Sequence, residues 1–160
     1  MGHGRGGQGP ARARAIFKGA GGARMSTREV YRHPLLTLTF EAEGRLARIR
    51  RSSLPMSMAE FAQLDPIVAG LLPAFRRPKM ALLMDSREAP MVFDPYLERA
   101  MGESLRRLSQ GFAAVGVLLS SHLGMRQTQR ISDRDGLVLT FFSDEAEAIA
   151  GLLSALPGGP

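Results

Sequence analysis

The sequence predicts one α/β domain built on a mostly parallel sheet with an antiparallel hairpin at its edge. Short apolar runs of strand length alternate with segments that have helical periodicity, which is typical of strand–helix–strand units. An alternating run near the start of the folded region predicts paired strands. The 160 residues are 44% hydrophobic, which suffices for one domain with its own core.

The hairpin is predicted from two alternating runs. Leu35–Phe40 alternates large apolar residues with threonine, and a turn at Gly44 leads into Arg45–Arg50, where Ala47 and Ile49 share one face. The other face of the hairpin consists of threonine and arginine. We therefore expect that face to be solvated.

The first helix has a clear start and an uncertain middle. Ser57 followed by Glu60 is a capping-box pattern, which predicts the helix N-terminus there. Pro66 interrupts the apolar stripe, and proline removes a backbone donor inside a helix. We expect a kinked or broken helix that ends before Pro73.

The rest of the chain alternates apolar strands with helices. We predict strands over Met80–Met84, Ala113–Leu119 and Leu137–Phe142. We also predict a short exposed helix over His122–Ile131 and helices beginning at Asp94 and at Ser143 or Asp144. The order β-β-α-β-α-β-α-β-α gives five strands. Right-handed crossovers make the last three strands parallel.

The basic charge is concentrated at the N-terminus. Residues 1–24 contain five of the 21 basic residues, no acidic residue and eight of the 18 glycines, so the rest of the chain is nearly neutral. We predict a disordered basic tail over 1–30, a folded domain over 31–155 and a frayed end over 156–160. The tail could bind nucleic acid or lipid, could be a transit peptide, or could precede a true start at Met25.

Composition and motifs argue against several functions. The absence of cysteine excludes disulfides and thiolate zinc sites and fits a cytoplasmic location. The histidines lack metal-ligand spacing, and no nucleophile elbow occurs. Asp85, Asp94 and Glu98 could gather around a cation, but capping and strand-end roles explain them better. We expect no catalysis, no metal and no cofactor, and no segment is long enough to span a membrane.

The segment from Met80 to Met101 is the most informative part of the chain. A strand ends at Asp85, a polar loop follows, and Asp94 starts an amphipathic helix. In α/β domains, binding sites form where strands feed into loops at the carboxyl edge of the sheet. Phe93 and its apolar neighbours either pack beneath the sheet edge or present a contact surface.

Four motifs follow one another within about residues 33–153: ALLMDSREAP, FDPYLE, GFAAVGVLLSSHLGMRQTQR and FFSDEAEAIAGLL. In this order they resemble the STAS superfamily, and more closely the small bacterial STAS-like proteins. The resemblance implies a non-enzymatic regulatory module that acts by partner switching, with a phosphorylated hydroxyl at the second-helix start. Asp94 matches the aspartate of that motif, but Pro95 replaces the hydroxyl residue. Ser86 is then the remaining candidate phosphosite.

We therefore predict an unidentified protein partner, without specific nucleic-acid binding or a membrane span. The alternative is a small-molecule or lipid carrier of the Sec14 type, whose architecture resembles that of the STAS-like proteins. The polar patch that includes Arg126 and Arg130 is either a solvated helix face or a contact for an acidic partner. The predicted partner-binding residues are Asp85, Ser86, Arg87, Phe93, Asp94, Tyr96, Arg126 and Arg130.

Overall fold

The computed structural model describes residues 26–158, which form a six-stranded sheet and four α-helices. The strands are β1 Arg28–His33, β2 Leu36–Glu41, β3 Leu46–Arg51, β4 Ala81–Asp85, β5 Ala114–Leu118 and β6 Thr140–Phe142. The α-helices are α1 Met58–Leu71, α2 Pro95–Ser109, α3 His122–Asp135 and α4 Glu145–Ser154, and short 3-10 helices cover Ala42–Gly44 and Ala74–Lys79. The mixed α/β class is confirmed.

The strands lie in the sheet in the same order as in the chain. Strands β1, β2 and β3 are antiparallel neighbours, whereas β3, β4, β5 and β6 are parallel. The antiparallel hairpin and the parallel last three strands are therefore confirmed, but the prediction of five strands is wrong. The additional strand, β1, includes residues 28–30, which precede the predicted start of the domain. Residues 1–25 of the predicted tail lie outside the described residues.

The helix starts agree with the sequence signals. Ser57 and Glu60 form the predicted capping box, with Glu60 N donating to Ser57 Oγ at 3.2 Å and Ser57 N donating to the Glu60 carboxylate at 2.8 Å. Asp94 caps α2 by accepting from Tyr96 N at 2.9 Å. Capping by Ser, Asp or Thr satisfies backbone donors that the first helical turn leaves free.

Helix α1 is not broken at Pro66, although proline predicted a kink or break. Tertiary contacts hold the helix on both sides of the ring. Leu64 and Val68 are buried in the core, and the Asp65 carboxylate binds Arg107 and Ser104 of α2. These contacts outweigh the loss of one helical hydrogen bond.

Two cores cover the two faces of the sheet. Alternate residues of a strand face opposite sides, so Leu82 packs with α1 and α2 while Ala81 and Leu83 pack with α4. Strand order and right-handed crossovers place α1 and α2 on one face, and α4 returns across the other. Leu156, within the predicted frayed end, is buried in the second core.

Candidate functional site

Three arginines and three carboxylates meet where the carboxyl ends of β3 and β4 approach the start of α4. We call this set the ion cluster, and its members are Glu41, Arg48, Arg50, Asp85, Arg87 and Glu145. Arg48 is 4% exposed, with its Nε 2.9 Å from Glu41 and Nη1 2.6 Å from Glu145. The expectation that this arginine face is solvated is therefore wrong for Arg48, because α4 covers it.

Asp85 is the centre of the ion cluster. Only 2% of the residue is exposed, and its carboxylate accepts from Arg50 Nε at 2.9 Å and from Arg87 Nε and Nη2 at 2.9 and 2.8 Å. Burial alone would raise the pKa of Asp85, but the hydrogen bonds from Arg87 and Arg50 outweigh it and lower that pKa. The carboxylate therefore stays ionised at neutral pH.

Glu145 joins the first turn of α4 to the same cluster. Its hydrogen bond from Arg48 lowers its pKa against the opposing effect of burial, and Arg87 lowers it further. Acid–base catalysis needs a group that exchanges protons near neutral pH. The lowered pKa values of Asp85 and Glu145 favour a structural role, in which the cluster fixes the loop after β4 against α4.

Hydrogen bonds fix the loop 86–94 near both of its ends. Ser86 N donates to Leu118 O at 2.9 Å, and Gln127 of α3 donates to Val92 O at 2.7 Å. The backbone next to α2 is thereby fixed, yet Phe93 is 88% exposed and Tyr96 is 80% exposed. The sequence left open whether Phe93 packs beneath the sheet edge, and the structure places it outside the core.

Helix α3 brings its arginines beside the start of α2. Arg130 Nη2 lies 2.7 Å from the Glu98 carboxylate, and Arg126 is exposed one helical turn earlier. The structure thus divides the eight predicted residues into two groups. The exposed group consists of Phe93, Asp94, Tyr96, Arg126 and Arg130. The buried or half-buried group consists of Asp85, Ser86 and Arg87.

Two clefts lie beside α2, and Arg51 borders both of them. The polar cleft, of about 140 Å³, lies between the loop 86–94, α2 and α3 and is lined by residues that include Arg51, Ser86, Ser120, Ser121, Gln127 and Thr128. The apolar cleft, of about 90 Å³, lies between α1, α2 and the sheet and is lined by residues that include Arg51, Ile49, Met56, Leu64, Met84 and Met101.

Arg51 was missed because the predicted strand ended one residue earlier, at Arg50. The signal was nevertheless present: the alternation that turns Ala47 and Ile49 inward continues to position 51. Arg51 is 7% exposed, and burial lowers its pKa. The sequence offered no comparable signal for Glu41 and Glu145, because their contacts with Arg48 depend on how α4 packs.

Comparisons of the chain with known protein families, with curated proteins and with solved structures find no match. In residues 26–158, no helix has the length and apolar character required to cross a membrane. That part of the chain also contains no group of three or more His, Asp or Glu residues arranged to hold a metal ion.

Proposed function

We propose that this chain is a non-enzymatic, STAS-like regulatory module that binds a protein partner through an aromatic surface. The aromatic surface consists of Phe93 and Tyr96, with Arg126 and Arg130 at its border. The observation that carries the proposal is the exposure of two large aromatic rings three residues apart, at 88% and 80%. Neighbouring exposed apolar side chains are characteristic of contact surfaces, whereas isolated ones need no explanation.

The backbone beneath the aromatic surface favours binding. Loop 86–94 is tied to α3 through Val92 and Gln127, and Asp94 caps α2. A surface that is ordered before binding loses less conformational entropy on association. Tyrosine and other aromatic side chains also contribute strongly to binding energy when a partner covers them.

The border of the aromatic surface indicates the charge of the partner. Arg126 and Arg130 are exposed, and the salt bridge of Arg130 to Glu98 leaves much of its guanidinium in solvent. Complementary charges at the rim of an interface steer association and improve specificity. We therefore propose a partner that presents an apolar pocket bordered by acidic side chains.

The proposed module lacks the usual phosphorylation switch at the second-helix start. Pro95 is the first residue of α2 and has no hydroxyl group. Ser86, the substitute phosphosite, is half-buried and lies next to the buried Asp85. We propose that partner binding does not require a phosphoryl group at the start of α2.

The lipid-carrier alternative finds less support in the geometry. The polar and apolar clefts measure about 140 and 90 Å³. Pockets that enclose drug-sized ligands usually measure roughly 300–1,000 Å³. Neither of these two clefts is large enough for a membrane lipid with two acyl chains. Larger clefts of about 350 and 600 Å³ lie beside the β1–β2 turn and beside β5, but charged side chains such as Arg32, Glu88, Arg106 and Asp135 border them.

Quantitative affinity capture from the native cell tests the proposed function. The full chain serves as bait beside a Phe93→Glu, Tyr96→Glu double variant and a control with Phe75→Glu. Phe75 is 86% exposed and lies in the 3-10 helix Ala74–Lys79, so the control places the same charge on another exposed phenylalanine.

The proposal expects a protein that the wild-type chain and the Phe75→Glu control enrich equally and the double variant does not. Equal denaturation midpoints for all three proteins would show that the fold is intact. A partner that the double variant retains would place the interface elsewhere. Failure to enrich any protein in a manner that depends on Phe93 and Tyr96 would reject the aromatic surface.

A further inference from the structure

Arg51 is a buried cation without a partner in the part of the chain that the structure describes. The residue is 7% exposed, and its Nε has no hydrogen-bond partner. Within residues 26–158 no carboxylate forms an ion pair with it, although Arg48, three positions earlier on the same strand, contacts three of them. Burying an unpaired charge is costly, so arginines in protein interiors are normally paired.

The carboxylates that line the polar and apolar clefts are engaged elsewhere, and Glu88, which lines a third cleft with Arg51, is exposed and forms no ion pair with it. Asp65 binds Arg107 at 2.6 Å, and Glu98 binds Arg130 at 2.7 Å. Residues 1–25 contain no Asp or Glu, so no side chain of that segment can supply the missing carboxylate. Within residues 26–158, the Arg51 guanidinium is therefore unpaired and lies between the two clefts.

The surroundings of Arg51 favour an anion that also carries an apolar group. Ser86 borders both clefts, and the parallel register Arg50↔Asp85 places it beside Arg51, on the same side of the sheet. The N-terminus of α3, capped by Ser121, opens on the polar cleft, and helix N-termini favour negative charge. The apolar cleft is lined mainly by leucine, isoleucine and methionine.

We propose that Arg51 binds a small monocarboxylate whose carboxylate lies in the polar cleft and whose short alkyl chain enters the apolar cleft. The planar guanidinium matches a carboxylate in a bidentate arrangement. The cleft volumes of about 140 and 90 Å³ limit the ligand to a few carbon atoms beyond the carboxylate. This site is separate from the aromatic surface, and the proposal does not depend on the proposed function.

A carboxylate fits the site better than a phosphate does. A phosphate dianion needs more than one cationic or donor group. Arg87 also lines the polar cleft, but its guanidinium is held by Asp85 at 2.8 Å and by Glu145 at 2.9 Å. Of the two arginines, only Arg51 has its positive charge available, and this single charge matches the single negative charge of a carboxylate.

Calorimetric titration of the full chain with acetate, butanoate and hexanoate in chloride buffer tests the proposal. Affinity should rise by about fourfold for each methylene that enters the apolar cleft. Hexanol and hexyl phosphate have the same number of carbon atoms as hexanoate, but hexanol has no charge and hexyl phosphate has a larger one, and both should bind more weakly than hexanoate. Equal binding of hexanol would contradict a role for the guanidinium, and tighter binding of hexyl phosphate would contradict the assignment of a carboxylate.

The variant Arg51→Met separates binding from folding. It should weaken hexanoate binding by roughly 10- to 100-fold, since a hydrogen-bonded charge pair is lost. It should also raise the denaturation midpoint, because it removes an unpaired buried charge. The control Arg45→Met removes an exposed arginine just before β3 and should change neither quantity. A lower midpoint for Arg51→Met would show a structural role instead.

Substitution of Ser86 gives an independent test through a carboxylate attached to the protein. Ser86→Asp places a carboxylate beside Arg51 and should compete with hexanoate, whereas the nearly isosteric Ser86→Asn should weaken binding less. Equal affinities for the two variants would contradict the placement of the ligand's carboxylate. If no carboxylate binds the wild-type chain in a saturable manner, the proposed site is rejected.

Discussion

Replacing Asp85 by asparagine should strongly destabilise the protein, because the ion cluster would lose its central charge. Removing one partner of a buried ion pair costs about 3–5 kcal/mol. The side chains of Arg50 and Arg87 are 45% and 30% exposed and can recover part of their hydration, while Arg48 keeps Glu41 and Glu145. We therefore expect the lower end of this range, about 3 kcal/mol.

Urea denaturation followed by circular dichroism measures this loss. With an m-value of about 2 kcal/mol/M, the midpoint should fall by roughly 1.5 M. Asp133→Asn is a matched control, because Asp133 is exposed and its contact with Gln129 lies on the helix surface. The control should change stability by less than about 0.5 kcal/mol. A loss below about 1 kcal/mol for Asp85→Asn would mean that the cluster behaves like exposed salt bridges and would refute the reasoning.

The same variant has a defined pH dependence. The pKa of Asp85 in the folded protein lies below its ordinary value of 3.8. The ionised carboxylate therefore stabilises the fold fully above pH 3.8, and this contribution disappears as the pH falls through the folded-state pKa. The difference in unfolding free energy between wild type and Asp85→Asn should stay constant from neutral pH down to pH 3.8 and shrink as the pH falls from there through the folded-state pKa of Asp85. A difference that already vanishes at neutral pH would contradict this assignment.

Three further substitutions test local packing and helix formation, each by its urea midpoint. Gly116→Ala would place a Cβ 2.9 Å from Phe142 and 3.0 Å from Leu152, so it should cost about 1–3 kcal/mol; an unchanged midpoint would show that β5 has room for a methyl group. Gly70→Ala lies in α1 with nothing within 4 Å of the new Cβ, and it should stabilise the protein by roughly 0.5 kcal/mol; a lower midpoint would contradict this. Ser57→Ala removes the capping box and should cost about 1 kcal/mol; no loss would show that the cap contributes nothing.

The sequence predicted those features that depend on neighbouring residues. The starts of α1 and α2 were correct because a cap is formed within a few residues, as between Ser57 and Glu60 or between Asp94 and Tyr96. The parallel strands were correct because apolar runs separated by helices leave few possible topologies. The candidate loop also lies where predicted, at the carboxyl edge of the sheet.

The sequence did not predict features that depend on distant contacts. Strand β1 has a polar sequence and only one neighbouring strand, so its pairing with β2 leaves little apolar alternation to detect. Helix α3 was expected to end near Ile131 but continues to Asp135, where Gly136 adopts a left-handed conformation with φ of 65°. The predicted third apolar strand, Leu137–Phe142, is reduced to Thr140–Phe142.

Arg48 and Arg51 show most clearly what a sequence pattern leaves undetermined. Both arginines lie on β3 and both are buried, at 4% and 7% exposure, but they face opposite sides of the sheet. On the α4 side, Glu41, Asp85 and Glu145 converge from three separate elements to neutralise the cluster, whereas on the other side no carboxylate in residues 26–158 pairs with Arg51. Burial removes hydration from both guanidiniums. Within the described residues, only Arg48 regains that energy through ion pairs. The proposed monocarboxylate would supply this compensation for Arg51, and if no such anion binds, replacement of Arg51 by methionine will stabilise the protein without any loss of binding.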